Sequence, residues 1–405
     1  MVGTSARDGF TRGASRGEAG RSVRTLVSGC LIGGAAGWSL TAAGAGAMAL
    51  EAAYRVDLVM IGLFTTAMAV PYALLQLPAG ALVDRWGARR AALLGLGLMI
   101  VAYLVALPEP HTGLALAARA VVGLGGAICF SAGADLARRS CTGPLGLGLF
   151  GGVAIGAGGA AVLVIPLLEG ALGWRSAWAT SAGTAVLAVA ALALVPAAAA
   201  VARRGYRARS ESSASVVRDG QLHRLAAIHA VTLGLGVVLS NWVAVILERV
   251  WGLAPGVAAV LGSLVLLLAV VSRPLGGYLA RRHPSSVRGL VVGALLASAM
   301  ATAALAWPTD VVVAGLAVSV LGLASGLPFA AVLAAAQARR ADRPAAAVGL
   351  MNGQANVLVL AGTPLLGAAI QGAMSTPGLL VVAAVWLVPL VALPEALDRR
   401  PRRAG

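Results

Sequence analysis

Between Leu26 and Leu50 the chain carries no charged side chain, and apolar runs of this kind recur to its end. A helix rises about 1.5 Å per residue, so roughly 20 apolar residues cross the hydrocarbon of a bilayer. The pattern predicts twelve such helices: residues 26–50, 58–80, 91–108, 112–137, 144–168, 176–198, 223–247, 254–280, 289–307, 310–336, 344–370 and 376–395. Short turns with Pro, Gly or charge separate them, such as "PEPHTG" after helix 3 and "LAPG" after helix 7. Strands of a membrane barrel would alternate over about 10 residues, whereas these runs are continuous. In lipid each backbone polar group has to be paired within its own segment, which a helix achieves alone. The chain is therefore expected to be an all-α polytopic membrane protein. Its charged fraction agrees: 11%, against about 25% in soluble domains.

The arginines orient it. Every basic residue is arginine, and the formal net charge is +16. Arg85, Arg89 and Arg90, then Arg138 and Arg139, then the cluster from Arg203 to Arg224, lie in loops on the side of the termini. So do Arg281, Arg282, Arg288, Arg339, Arg340, Arg343 and both tails. The opposite loops hold only Arg55, Arg175 and Arg249. Cytoplasmic loops carry the excess of positive charge, so both termini are expected to be cytoplasmic. Removing one helix would scramble the asymmetry, which supports the count of twelve independently of hydropathy. The same pattern explains the basicity without nucleic acid. Exclusive use of arginine, with abundant Ala and Gly, points to a high-GC bacterial genome and a multi-pass protein of its plasma membrane.

Residues 1–25 are polar, rich in Arg, Gly and Ser, and read as a disordered cytoplasmic tail. The run after them exceeds the 7–15 residues of a signal-peptide core. Residues 26–198 then form one six-helix bundle, 199–222 a cytoplasmic linker, 223–395 a second bundle and 396–405 a basic tail. The halves repeat weakly. "GALVDRWGARR" after helix 2 corresponds to "GGYLARRHPSSVR" after helix 8, and "ADLARR" closing helix 4 to "AAQARR" closing helix 10. Parallel six-helix repeats are a transporter construction.

Enzyme chemistry has no foothold. His111, His223, His229 and His283 make no ligand spacing, and there is no phosphate-binding glycine loop. Cys30, Cys129 and Cys141 show no metal or disulfide pattern. No metal or cofactor is expected. What remains is polarity inside the spans. Arg119 lies in helix 4 and Arg273 in helix 8, with no carboxylate at mid-helix, which favours an anionic or neutral solute over a cation. Arg119 could alternatively reach the outer headgroups, and Arg273 could serve the cytoplasmic end. Asn352 and Asn356 share a face of helix 11, and Gln76 is a weaker case in helix 2. Trp38 and Asn241 lie in the middle or outer parts of helices 1 and 7, beside Ser39, Ser240 and Trp242, the last also suited to anchoring at the membrane interface.

Asp84 needs positive partners at the membrane edge. Neighbouring arginines are one source. The other is the N-terminus of helix 11, where Pro344 suits the first turn.

Gly80, Leu82, Asp84, Arg85, Gly87, Arg89 and Arg90 resemble the loop signature of the major facilitator superfamily between helices 2 and 3. Arg119, Gly123 and Gly125 are similar to a second signature of that family, and "GWRSAW" to its turn before helix 6. The resemblance implies two six-helix bundles around a central cavity that opens alternately to each face. It implies a loop that clasps the halves on the cytoplasmic side, formed by Gly80, Asp84, Arg85, Gly87, Arg89 and Arg90. It implies that Trp38, Asn241, Asn352 and Asn356 line the site, with Arg119 and Arg273 serving substrate or coupling. Arg281 stands where the second copy of the loop would carry the acid, so the first copy should dominate. The function implied is secondary active transport of a small solute by a monomer, with protons as a candidate coupling ion. "SRPLGGYLARR" and helix 11 resemble the cyanate and nitrate/nitrite permease branch, although Gly158-Gly159 replaces the Asn-containing signature of nitrate carriers. The alternatives are a proton-coupled exporter of drugs or secondary metabolites, and a transporter-like sensor. Helix 5 lacks the G-P pair typical of drug antiporters.

Overall fold

The computed structural model describes residues 5–140, 143–194, 214–372, 374–394 and 397. Most of the expected linker, nearly all of the C-terminal tail and Cys141 lie outside these. Among the described residues eleven helices are long and apolar enough to span a membrane, and a bent pair, Met60–Leu74 with Gln76–Trp86, supplies a twelfth. The spans are, in order, Ser22–Ala45, that pair, Ala88–Ala106, Thr112–Arg139, Pro144–Leu172, Arg175–Ala193, Gly220–Arg249, Gly256–Arg282, Pro284–Ala304, Val311–Arg339, Pro344–Ile370 and Ser375–Ala392. Each overlaps its sequence-derived counterpart.

One expectation changes. The first helix begins at Ser5 and runs to Ala45, so the segment read as a disordered tail is helical from Ser5 onward. A span supplies the costly helical nucleus, and extension from it proceeds residue by residue.

The apolar residues collect into two cores. Ile32, Phe64, Met99, Tyr103 and Trp178 belong to the first, built mainly by spans 1–6. Leu239, Val265, Leu321, Leu333, Met351 and Trp386 belong to the second, built mainly by spans 7–12. The halves meet along two seams, span 2 against span 11 and span 5 against span 8.

Both seams are made by glycines, and both loosen in the same direction. A Cβ at Gly80 would collide with the Ala345 carbonyl, and one at Gly349 with that of Gln76. One turn further from the arginine-rich end, a Cβ at Gly353 would stand 3.8 Å from Ala73 O. On the other seam, Gly277 abuts the Pro144 carbonyl and Gly148 that of Arg273. Further along, a Cβ at Gly152 would stand 2.8 Å from Val270 O, and one at Gly156 would meet only the Val270 side chain, at 3.6 Å. The halves are thus clamped at the arginine-rich end and diverge toward the other.

Candidate functional site: a polar cluster where the halves meet

Three spans lose regular α-helix at one level of the structure. Span 2 breaks at Leu75, between Pro71 and Pro78, with a bend of 56°. Proline removes a backbone donor and clashes with the preceding turn, which explains a bend in this stretch. Span 7 passes into a π-helical turn at Ala230–Leu235. Span 10 interrupts its helix at Leu327–Pro328. Discontinuous helices and π-turns are costly, and membrane proteins place them around sites.

The side chains beside these breaks converge. Gln76, the first residue after the break in span 2, and His229, the last before the π-turn, are fully buried. Asn352 of span 11 lies between them: its Nδ2 donates to Gln76 Oε1 at 3.4 Å, and its Oδ1 faces His229 Nε2 at 2.9 Å. Tyr72 lies beside Gln76. Arg273, 5% exposed, donates from an NH2 group to the Gly151 carbonyl at 3.0 Å across span 5. Its guanidinium lies 4.3 Å from the centre of the Phe329 ring, just past the break in span 10. The same ring stands 5.7 Å from the imidazole of His229. Arg273 is close enough to act electrostatically on both Tyr72 and His229. A recess beside Arg273 is lined by Ile155, Thr232, Gly236, Ala269, Ser325 and Gly326.

The cluster therefore draws Tyr72, Gln76 and Gly151 from one half and His229, Arg273, Phe329 and Asn352 from the other. Its one formal charge is positive. Three polar atoms in it have no hydrogen-bond partner: Gln76 Nε2, His229 Nδ1 and Arg273 Nε. Two of these are donors, and unpaired buried donors are costly. A ligand that accepts hydrogen bonds and carries negative charge answers both deficits at once.

The other expected residues fall elsewhere. Arg119 is sealed inside the first bundle at 1% exposure. It donates to Phe64 O at 2.9 Å, Ser39 O at 2.7 Å and Tyr103 Oη at 3.2 Å, and lies 5.8 Å from the Trp178 ring centre. It reaches neither the headgroups nor the cluster at the seam. Trp38 turns into the same bundle, where its indole N–H donates to Thr180 Oγ1 at 3.1 Å. Asn241 is exposed, about three turns along the helix from His229. Asn356 is half-buried and donates back to Asn352 O at 2.8 Å. Of the expected site residues the cluster holds Arg273 and Asn352. His229 and Tyr72 were missed. The signal for His229 was available: a histidine seated within the apolar stretch "LAAIHAVTLGLGVV".

At the clamped end the Asp84 carboxylate accepts the backbone N–H groups of Ala345 and Ala346, at 3.0 and 2.8 Å. These are free donors of the first turn of span 11, opened by Pro344. A carboxylate there meets the positive end of the helix dipole. Gly87 turns the chain with φ 85°, a conformation that side chains disfavour. Arg85 and Arg90 are exposed and Arg89 is half-buried. Asp135 pairs locally with Arg138 at 2.5 Å and Arg139 at 2.6 Å. The second copy of the loop ends on exposed Arg281.

Two six-helix halves clamped at one end, with a buried polar cluster where they meet, are a transporter architecture. The sequence profile of the Major Facilitator Superfamily matches residues 27–363. The chain belongs to that superfamily. The structure is similar to the human organic anion transporter MFSD10 (TETRAN), with 18% identity and a TM-score of 0.72 over 93% of this chain and 99% of that one. It is also similar to the E. coli fucose:proton symporter FucP, with 14% identity and a TM-score of 0.69 over 90% and 97%. The proton:xylose symporter XylE follows the same fold at 12% identity and a TM-score of 0.70, over 92% and 95%. No curated protein matches the sequence. The comparisons reach the superfamily and not the cyanate and nitrate/nitrite branch within it.

Proposed function

We propose that this chain is a secondary transporter that carries a small anion across a bacterial plasma membrane by alternating access. Arg273 binds the anion. The observation that carries this reading is the charge of the pivot: a buried guanidinium with an unpartnered Nε, at the seam of the two halves, with no carboxylate among its described contacts. Burying an unneutralised charge is costly, and such residues inside membrane spans mark substrate or ion pathways. The name of the structurally similar organic anion transporter points the same way. Both sides of the pivot come from one chain, so a monomer suffices.

In the form described here the halves are clamped at the arginine-rich end, so the anion reaches Arg273 from the diverging end. Opening the clamp requires the carboxylate of Asp84 to leave the N-terminus of span 11. Gln76 and Asn352 would separate in the same movement, since they sit on the same pair of spans. Asp84 with Gly80 and Gly87 thus forms a latch, and the exposed arginines around it give the face its positive charge.

Uptake into proteoliposomes tests the reading, using labelled inorganic oxyanions, small carboxylates, neutral sugars and lipophilic cationic drugs in parallel. The expected result is uptake of at least one anion that Arg273→Gln abolishes while the variant still assembles. Movement of cationic drugs alone, unaffected by Arg273→Gln, would overturn it in favour of the exporter.

A further inference from the structure

The hydrogen-bond chain through the pivot has a direction, and it fixes the protonation chemistry of His229. Asn352 donates its amide N–H to Gln76 Oε1. Its Oδ1 is therefore the atom that faces His229, and an oxygen there accepts. In this orientation of the two amides Nε2 of His229 is the donor, and Nδ1 of the neutral ring is left with an open lone pair. That atom is buried and has no partner. An imidazole with one nitrogen held as a donor and the other free has one position at which to take up a proton.

The surroundings decide when the proton is welcome. Span 11 carries no ionisable side chain from Pro344 to Gln371, and span 12 none from Ser375 to Ala392. Span 10 offers Phe329 against the ring and no ionisable group nearer than Arg339 at its far end. From span 8 comes Arg273, and from span 2 Tyr72 and Gln76. A proton on His229 therefore faces a guanidinium with no carboxylate between them. Two like charges in a low-dielectric site repel strongly, and an anion between them reverses the sign.

We propose that His229 is the proton carrier of this transporter, and that a proton on its Nδ1 travels with the anion held by Arg273. This rests on the anion reading of Arg273. The proton passes from water at the diverging end to the Nδ1 lone pair, and the ring becomes imidazolium. It leaves from Nδ1 to water on the opposite side once the latch has opened; no other bond forms or breaks. Because each ligand favours the other, the linkage is reciprocal and positive. Ligands that bind together move together, so the coupling is symport; competition between them would have made exchange. Gln76 and Asn352 act as positioning residues: they hold Nε2 as the donor and so keep Nδ1 free.

Nitrogen-15 NMR of histidine-labelled protein in lipid nanodiscs reads the tautomer and the protonated fraction directly. The His229 resonance is assigned by its loss in His229→Gln. Should that variant not assemble, the triple variant His111→Gln, His223→Gln, His283→Gln leaves His229 alone and gives the same assignment. Nitrate and methanesulfonate are the anion probes, gluconate the bulky control, and thermal stabilisation is recorded alongside. The expected result is the Nε2–H tautomer in gluconate. At least one probe should then raise the proton affinity of His229 by about tenfold, and Arg273→Gln should erase the response. Asn352→Leu should release the tautomer to a mixture, which a merely space-filling role would not do. Stabilisation by a probe that depends on Arg273, with the protonated fraction of His229 unmoved, overturns the proton carrier and leaves the anion site standing. No effect of either probe on either readout takes down the anion reading, and the carrier with it.

Discussion

Two arginines lie buried in spans, and their surroundings give them different work. Arg119 is enclosed by two backbone carbonyls, a tyrosine hydroxyl and a tryptophan face, all from the first bundle. Arg119 Nη2 and Arg273 Nε both lack a partner, but Arg273 reaches from one bundle into the other, at the seam between the halves. Removing Arg119 strands the groups it satisfies, at a cost of about 1–3 kcal/mol for each buried polar group left unpaired. Arg119→Ala is therefore expected to unfold at lower temperature and to yield less protein in detergent, with Arg119→Lys intermediate. Arg273→Gln should keep its melting temperature and lose transport. Thermal unfolding with uptake on the same samples separates the two roles, and a stable, transport-dead Arg119→Ala would contradict the assignment. Both arginines were visible in the sequence as charges among apolar residues. What set them apart was not, because the partners of Arg119 come from spans 1, 2, 3 and 6, and no local pattern encodes that meeting. His229 was hidden for a simpler reason. The four histidines make no ligand spacing, and only the fold shows that this ring is fully buried and faces Asn352.

At the scale of the element, the periodicity of apolar residues placed the spans well, because length and hydropathy are local properties. The breaks were legible only where proline marks them, at Pro71, Pro78 and Pro328. The π-turn after His229 has no proline to mark it. The contact of Asp84 with the start of span 11 was foreseeable, since an acid at the membrane edge and a free helix N-terminus on the same face have few other partners. The seams were only half legible: many glycines could have lain at them, and the fold selects Gly80, Gly148, Gly277 and Gly349. Gly80→Leu has no room against Ala345, so it should prise span 2 from span 11. Asp84→Asn removes the charge that meets the helix dipole, worth about 1–2 kcal/mol in a partly buried setting. Both variants should increase labelling of a cysteine placed at Leu77 by a reagent added from the arginine-rich side. Labelling equal to that of the parent would mean that the seam holds without its glycine and its latch.

For the whole molecule, the distribution of arginine gave the orientation expected from sequence, and the structure adds the state. The arginine-rich end is clamped, the other diverges, and the polar pivot lies between. Alternating access requires these ends to move in opposition, because two rigid halves that rock about a pivot cannot open at both. Spin labels at Trp86 and Ala338 report the clamped end, and labels at Glu109 and Asp310 report the diverging end; all four positions are exposed. Pulsed electron–electron distance measurement on both pairs, in the parent and in Asp84→Asn with Gly80→Leu, tests the claim most directly. The account predicts that the first distance lengthens and the second shortens in the same variant. A first distance that lengthens while the second stays fixed would mean that the latch frays locally, and that the two halves do not rock about the cluster at Arg273.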